Sequence, residues 1–252
     1  MPSDNGFQPF NTPFTLSKYD DPYEKSRIEI LRDLIPTSHG ESAIDCGCGP
    51  GYFSNVLTQK DWYVTALDTD PANIKSAAGH AAEVRLGDAS AVLATLPDSH
   101  YGLVLALEIL EHMPKTVGAS LLQNIVRVLK PSGRLIISTP NKFSPEGLGG
   151  YYWGEKIRHW SKWDAWDQTH VHIYSSWEFV RLLKASGFVV DKITGYYYRG
   201  HLPLIGNWRL PFTKCTRFPF NWTGFNIIVE CHKRSATIVS SDQSRCSPEK
   251  PS

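Results

Sequence analysis

No stretch of this 252-residue chain approaches 18 consecutive apolar residues, so nothing in it reads as a membrane-spanning helix. There is almost no net charge: 26 Lys and Arg against 25 Asp and Glu leave +1, with a pI near 7.7. That balance argues against a protein that coats DNA through its global field. The five cysteines (Cys46, Cys48, Cys215, Cys231 and Cys246) are odd in number and irregular in spacing, which is no disulfide framework. No internal repeat is visible. Met1 to Asn11 is polar and lacks the apolar stretch of a signal peptide. These absences lead to the expectation of a soluble protein of a reducing compartment, the cytoplasm.

What is present is a globular composition, 41% hydrophobic and 20% charged. The length suits one domain, expected over 1–234, followed by a Ser/Pro-rich, charged and disordered tail at 235–252. Short apolar runs at Ser42–Cys46, Trp62–Leu67, Glu83–Leu86, Leu103–Leu107 and Arg134–Ser138 read as strands. Helical spacing appears in Tyr23–Leu34, Tyr52–Gln59, Pro71–Gly79 and Thr116–Leu129. Pro131-Ser132-Gly133 stops the last of these. Such alternation predicts a parallel α/β sheet. A helix at Ser176–Ser186 and strands at Phe188–Thr194 and Gly224–Cys231 complete the pattern.

The sharpest motif is Ala43-Ile44-Asp45-Cys46-Gly47-Cys48-Gly49-Pro50-Gly51, where the first strand turns into a helix. Glycines at such a turn let a ligand approach the backbone closely. A dinucleotide loop would need G-x-G-x-x-G; Gly47 and Gly49 fit, but Tyr52 stands at the third position. Asp45 also suits a cationic ligand better than a pyrophosphate. Cys46 and Cys48 read as small apolar packers, because C-x-C without partners is poor zinc spacing.

This stretch resembles motif I of the class I S-adenosylmethionine-dependent methyltransferases, of the type 11/23 kind. The resemblance covers about residues 25–232. It extends to Asp68, 23 residues after Asp45, and to Gly87-Asp88-Ala89 after the third strand. It continues through Glu108-Ile109-Leu110-Glu111-His112-Met113-Pro114 and Leu129-Lys130-Pro131-Ser132-Gly133. One departure is Gly102, where the family usually has an acid before the fourth strand. The resemblance implies a Rossmann-like three-layer α/β/α sandwich. Its sheet would have seven strands, mostly parallel, with an antiparallel last strand. The cofactor would be S-adenosylmethionine, bound by Asp45, Gly47, Cys48, Gly49, Asp68, Thr69, Asp88 and Ala89. Arg27 resembles an arginine that meets the methionine carboxylate in the ubiquinone-pathway enzymes; a solvated helix arginine is the other reading.

Glu108, Glu111 and His112 follow the fourth strand, and His170 comes 58 residues after His112. E-x-x-E-H with a later histidine resembles the metal site of small-RNA 2′-O-methyltransferases, and its first part resembles the ubiquinone-pathway O-methyltransferases. Glu108, Glu111, His112 and His170 are thus candidate ligands of a divalent ion, with the imidazoles favouring Mn, Fe, Co or Zn. Without a metal, His112 or His170 is the candidate general base, with Glu111 beside it. Many methyltransferases carry the same stretch with no metal.

Tyr151, Tyr152, Trp153, Trp160, Trp163 and Trp166 fall in an expected aromatic lid at about 141–175. A basic and aromatic loop at 198–222 could meet a membrane surface, a lipid-linked substrate or single-stranded RNA. From Arg199 to Arg234 there are six Lys/Arg and one acid, Glu230. Solvated cations over packed aromatics would look the same. No RNA-binding module is recognisable, so nucleic acid is the lesser choice. The expected activity is O-methylation of a small-molecule, lipid-linked or glycan-type acceptor. The alternatives are metal-dependent RNA 2′-O-methylation, a catalytically silent cofactor-binding subunit, and a nucleotide-dependent dehydrogenase.

Overall fold

The computed structural model describes residues 22–144, 148, 169–196 and 214–234. The elements run α1 (Pro22–Leu34), β1 (Ser42–Cys46), α2 (Tyr52–Gln59), β2 (Tyr63–Asp68), α3 (Pro71–Ala77), β3 (Glu83–Leu86), α4 (Ala89–Thr95) and β4 (Tyr101–Leu107). Then come α5 (Lys115–Val128), β5 (Leu129–Pro140), α6 (Ser176–Ala185), β6 (Phe188–Tyr196), β7 (Lys214–Cys215) and β8 (Asn226–Lys233).

One sheet joins the strands in the order β3-β2-β1-β4-β5-β8-β6-β7. The pairs from β3 through β5 are parallel. The last strand, β8, inserts antiparallel between β5 and β6, as expected. The seven expected strands are joined by an eighth, β7, a two-residue edge strand paired to Gly195 and Tyr196. A strand that short carries no alternation, so nothing in the sequence marks it. Helix α4 is not among the expected helices: Val92 and Leu93 are its only large apolar residues and mark no stripe, and Asp88 caps it by accepting from Ala91 N at 3.0 Å.

The strand alternation divides the core in two. Leu103 and Leu105 face one side with Leu31 of α1, Leu57 of α2 and Ala77 of α3. Val104 and Ala106 face the other with Leu93 of α4, Leu121 and Ile125 of α5, and Phe179 of α6. The result is the three-layer α/β/α sandwich. The strand order reverses between β1 and β4, and a crevice opens beyond the carboxyl ends of strands at such a switch.

Two positions on this frame are closely packed. At Gly102 a Cβ would stand 2.9 Å from Glu41 Oε2 and 3.1 Å from the Trp62 ring. The register of β4 against β5 also shifts between Tyr101 and Leu103. A side chain there would need the Glu41 carboxylate to swing aside and the Trp62 ring to give by a few tenths of an ångström. Asp45, only 3% exposed, ties β1 to α2 by accepting from Ser54 Oγ at 2.7 Å. Burial pushes its carboxyl up from 3.8 to about 6, against the lowering effect of the Ser54 bonds.

Gly102→Asp should lower the unfolding free energy by about 1 kcal/mol, since the Trp62 ring must give way and a second carboxylate comes beside Glu41. Urea titration reads this directly, and a variant as stable as wild type would refute the packing account. For Asp45 the sign follows from the raised value. Between pH 3.8 and about 6 only the folded chain holds the proton, so this group's contribution is full below that window and gone above it. Asp45→Asn should therefore gain on wild type by up to about 3 kcal/mol between about pH 4 and about pH 7. A stability difference that does not change with pH would contradict this.

Candidate active site

A cleft of about 350 Å³ lies at the carboxyl ends of β1, β2, β3 and β4. It is lined by Gly47, Leu67, Asp68, Thr69, Gly87, Asp88, Ala89, Glu108, Ile109, His112 and Met113. Five of the expected cofactor residues are on its wall: Gly47, Asp68, Thr69, Asp88 and Ala89. Gly47 has φ +70, and a Cβ there would stand 2.5 Å from Ile109 Cγ2. Glycine is thus required for the loop to pass beneath the turn that follows β4.

Asp68 is the best-held acid in the cleft. Its Oδ2 accepts from Gly49 N at 2.9 Å, and its Oδ1 accepts from Asp70 N at 2.8 Å and Asn73 Nδ2 at 3.2 Å. These bonds fix the carboxylate to the glycine loop and to the start of α3. The remaining expected residues sit off the wall. Gly49 acts through its backbone on Asp68. Asp45 spends Oδ2 on Ser54 behind the loop. Cys48 is buried, donates Sγ–H to Gly49 O at 3.3 Å, and has its thiol pushed up by burial. Cys46 is likewise buried with a raised thiol, so both stay protonated as packing groups. Arg27 lies on α1, half-buried, and is not part of the cleft wall.

The chain leaves β4 through Glu108, whose φ of +55 is left-handed. Three bonds hold it there. Glu108 N donates to Ser138 O at 3.1 Å, Ser138 Oγ donates to Oε1 at 2.5 Å, and Asn226 Nδ2 donates to Oε2 at 2.7 Å. A 3-10 turn, Leu110–His112, follows. It drives Glu111 into the core, fully buried, while His112 stays exposed on the cleft. Glu111 Oε2 accepts from Thr139 Oγ1 at 3.2 Å; its Oε1 is buried with no hydrogen-bond partner among the described residues. Burial, then the Glu108 charge, holds its carboxyl well above the usual range.

His170 arrives from a distant segment. Val171 N and His172 N both donate to Glu111 O, at 2.7 and 3.0 Å. The imidazoles of His112 and His170 then stand 4.8 Å apart by ring centre, and Thr169 Oγ1 lies 3.0 Å from His112 Nδ1. One donor atom each from Glu111, His112 and His170 falls within 4.8 Å of the others. That brings together three of the four expected metal ligands. Glu108 is not in the group, its oxygens being engaged by Ser138 and Asn226. A carboxylate with two imidazoles suits a borderline divalent cation, and an orphaned buried oxygen is what such an ion would satisfy.

Ser138, Thr139, Thr169 and Asn226 were missed from sequence. The available signal was polar residues closing otherwise apolar strands, Ser138-Thr139 at the end of β5 and Asn226 at the start of β8. The expected aromatic lid residues, Tyr151 to Trp166, lie outside the described residues, as do the tail 235–252 and 198–213 of the basic loop.

Residues 23–193 match the family model described as a methyltransferase domain. The ubiquinone biosynthesis O-methyltransferase of Rickettsia bellii (strain OSU 85-389) is 28% identical over 162 residues, 62% of this chain and 64% of that enzyme. The chain thus spans somewhat under two thirds of that relative's length. The enzyme of the same name from Xylella fastidiosa is 33% identical over 122 residues, 46% of this chain and 48% of its own. A SAM-dependent methyltransferase from Archaeoglobus fulgidus superposes with a TM-score of 0.63 at 18% identity, covering 86% of this chain and 96% of that one, which shows a common fold. Since the family match runs unbroken from α1 into β6, the chain belongs to the methyltransferase-domain family of class I S-adenosylmethionine-dependent methyltransferases.

Proposed function

We propose that the protein methylates a hydroxyl oxygen of a small-molecule, lipid-linked or glycan-type acceptor, using S-adenosylmethionine and a divalent ion. The observation that carries this reading is Glu111: a fully buried carboxylate with an orphaned oxygen, beside two imidazoles at the cleft mouth. The names of the relatives, O-methyltransferases of ubiquinone biosynthesis, support oxygen as the acceptor atom.

S-adenosylmethionine brings a methyl group already activated on a sulfonium, so the protein supplies placement and proton handling. By resemblance Asp68 takes the ribose hydroxyls, and Asp88 with Ala89 takes the adenine edge. Gly47, Cys48 and Gly49 give the cofactor close backbone approach, and Thr69 flanks the ribose; Arg27, off the cleft wall, fits the reading of a helix arginine better than that of a carboxylate ligand. Asp45 serves by holding the loop to α2. Glu111, His112 and His170 would hold the divalent ion, which when bound lowers the pKa of a hydroxyl near it. Glu108 sits behind them, orienting the turn. Without an ion, His112 or His170, at the cleft mouth, would be the group to receive the acceptor's proton.

A lipid-linked acceptor would reach the cleft from a membrane surface. Phe218 and Phe220, 74% and 60% exposed, project from the described part of the basic loop next to Arg217. Aromatics flanked by cations suit an interfacial contact.

Three measurements bear on this. S-adenosylhomocysteine should bind the wild type with micromolar affinity and bind Asp68→Ala at least about 100-fold more weakly by calorimetry, since charged hydrogen bonds contribute about 1.5–3 kcal/mol each. No binding to wild type would sink the cofactor reading. With labelled S-adenosylmethionine, a prenylated catechol should be methylated in the presence of Mn²⁺ and not by Glu111→Ala. Methylation of an RNA terminal 2′-hydroxyl instead would favour the alternative. Phe218→Ser with Phe220→Ser should reduce co-sedimentation with anionic phospholipid vesicles, and unchanged sedimentation would remove the membrane contact.

A further inference from the structure

The segment Thr169–Tyr174 brings His170 to the site without belonging to a helix or to the main run of a strand. Among the described residues its only β-bridge is between Asn141 and Tyr174. Yet His170 must be held against Glu111 and His112 to within a fraction of an ångström if the three are to share an ion. Something beyond that bridge has to fix the segment.

Two contacts do so. Val171 N and His172 N clip the segment to Glu111 O from inside. From outside, His172 Nε2 donates to Glu178 Oε1 at 3.1 Å, and the same oxygen accepts from Lys115 Nζ at 2.5 Å. Lys115 opens α5, the helix that follows the Glu111-His112 turn, and Glu178 lies in the first turn of α6. The His172 ring is also edged against Tyr174, centre to centre 4.6 Å, and Tyr174 is buried beside Gly118 of α5. A Cβ at Gly118 would stand 3.5 Å from the Tyr174 hydroxyl and 3.1 Å from Leu110.

The local sequence makes Glu178 unusual. Ser175-Ser176-Trp177-Glu178 is a capping box, S-x-x-E, and Ser175 Oγ does accept from Glu178 N at 3.2 Å. In that motif the glutamate normally turns back on the cap residue's own N–H. Here its Oε1 reaches outward to His172 and Lys115 instead. It trades a local bond for one that links three separate segments.

We propose that Glu178 is a positioning residue: through His172 it clamps the 169–172 segment, and with it His170, onto the turn bearing Glu111 and His112. This rests on the reading of those three residues as an ion site. The Lys115 bond makes the clamp close over both sides of the site at once, since α5 and α6 each contribute one member. Nothing in the clamp touches the cofactor wall at Asp68 or Asp88.

The test is Co²⁺ titration of the full chain, followed by visible absorption and calorimetry, alongside S-adenosylhomocysteine binding. Glu178→Ala should weaken Co²⁺ about tenfold or more and alter the ligand-field bands, as loss of an outer-shell partner does. S-adenosylhomocysteine affinity should stay within about twofold, since the clamp avoids that wall. Glu178→Gln, which keeps an acceptor oxygen for His172 and Lys115, should recover Co²⁺ affinity to within about threefold. Unchanged Co²⁺ binding in Glu178→Ala, or parallel loss of Co²⁺ and S-adenosylhomocysteine, would overturn the clamp. Failure of wild type to bind Co²⁺ would instead defeat the ion-site reading. Hydrogen exchange then still decides the clamp: Glu178→Ala should speed exchange of the Val171 and His172 amides about tenfold, with the core of α5 unchanged. Equal protection in both proteins would dispose of it.

Discussion

The candidate site depends on how the chain leaves β4. Glu108 adopts a left-handed backbone that a glutamate does not choose on its own, at a cost of roughly 1–2 kcal/mol. It does so because Ser138 and Asn226, from two other strands, each engage one of its oxygens, and because its N–H reaches Ser138 O. That conformation turns the backbone sharply enough for Leu110–His112 to wind one 3-10 turn. Glu111 is thereby driven into the core and His112 is left facing the cleft. A relaxed backbone at Glu108 would carry both side chains elsewhere.

The turn joins two regions with opposite physical character. On the β1–β3 side the cleft is polar and held by hydrogen bonds to backbone N–H groups, with Asp68 as their common acceptor. Such a wall keeps its shape without any bound charge. On the β5–α6 side the carboxylate of Glu111 is dry and lies near a second carboxylate, which pushes it toward the protonated form. Burying a carboxyl with one idle oxygen is unfavourable. Glu111 is therefore held toward its neutral form beside the two imidazoles of His112 and His170.

The architecture bears on the one departure from family pattern and on one stretch whose shape differs from its sequence reading. Gly102 stands where an acid is usual, and a Cβ there would crowd Glu41 and the Trp62 ring. The Lys130-Pro131-Ser132-Gly133 stretch, which reads as a turn, is absorbed into a long β5 whose register slips past it.

Much of this protein could be read from its residues alone. Periodicity marked α2 to the residue, as well as the main body of β1 to β6 and of β8, because side-chain spacing is a local property. The glycine loop and the acids Asp68 and Asp88 fell at strand ends, where sequence position and spatial position coincide. The elements α4 and β7 were beyond that reach, since β7 has only two residues and α4 has only Val92 and Leu93 as large apolar side chains. What only the tertiary structure decided was how long-range partners distribute the charged groups. Glu108 and Glu111 look alike in E-x-x-E-H, yet one is engaged by Ser138 and Asn226 while the other is left with an idle buried oxygen. His170 and His172 look alike too, yet one joins the site and the other holds it in place. Their partners come from segments 28 to 118 residues away or from another helix, and no local pattern encodes which side chain a distant strand will meet.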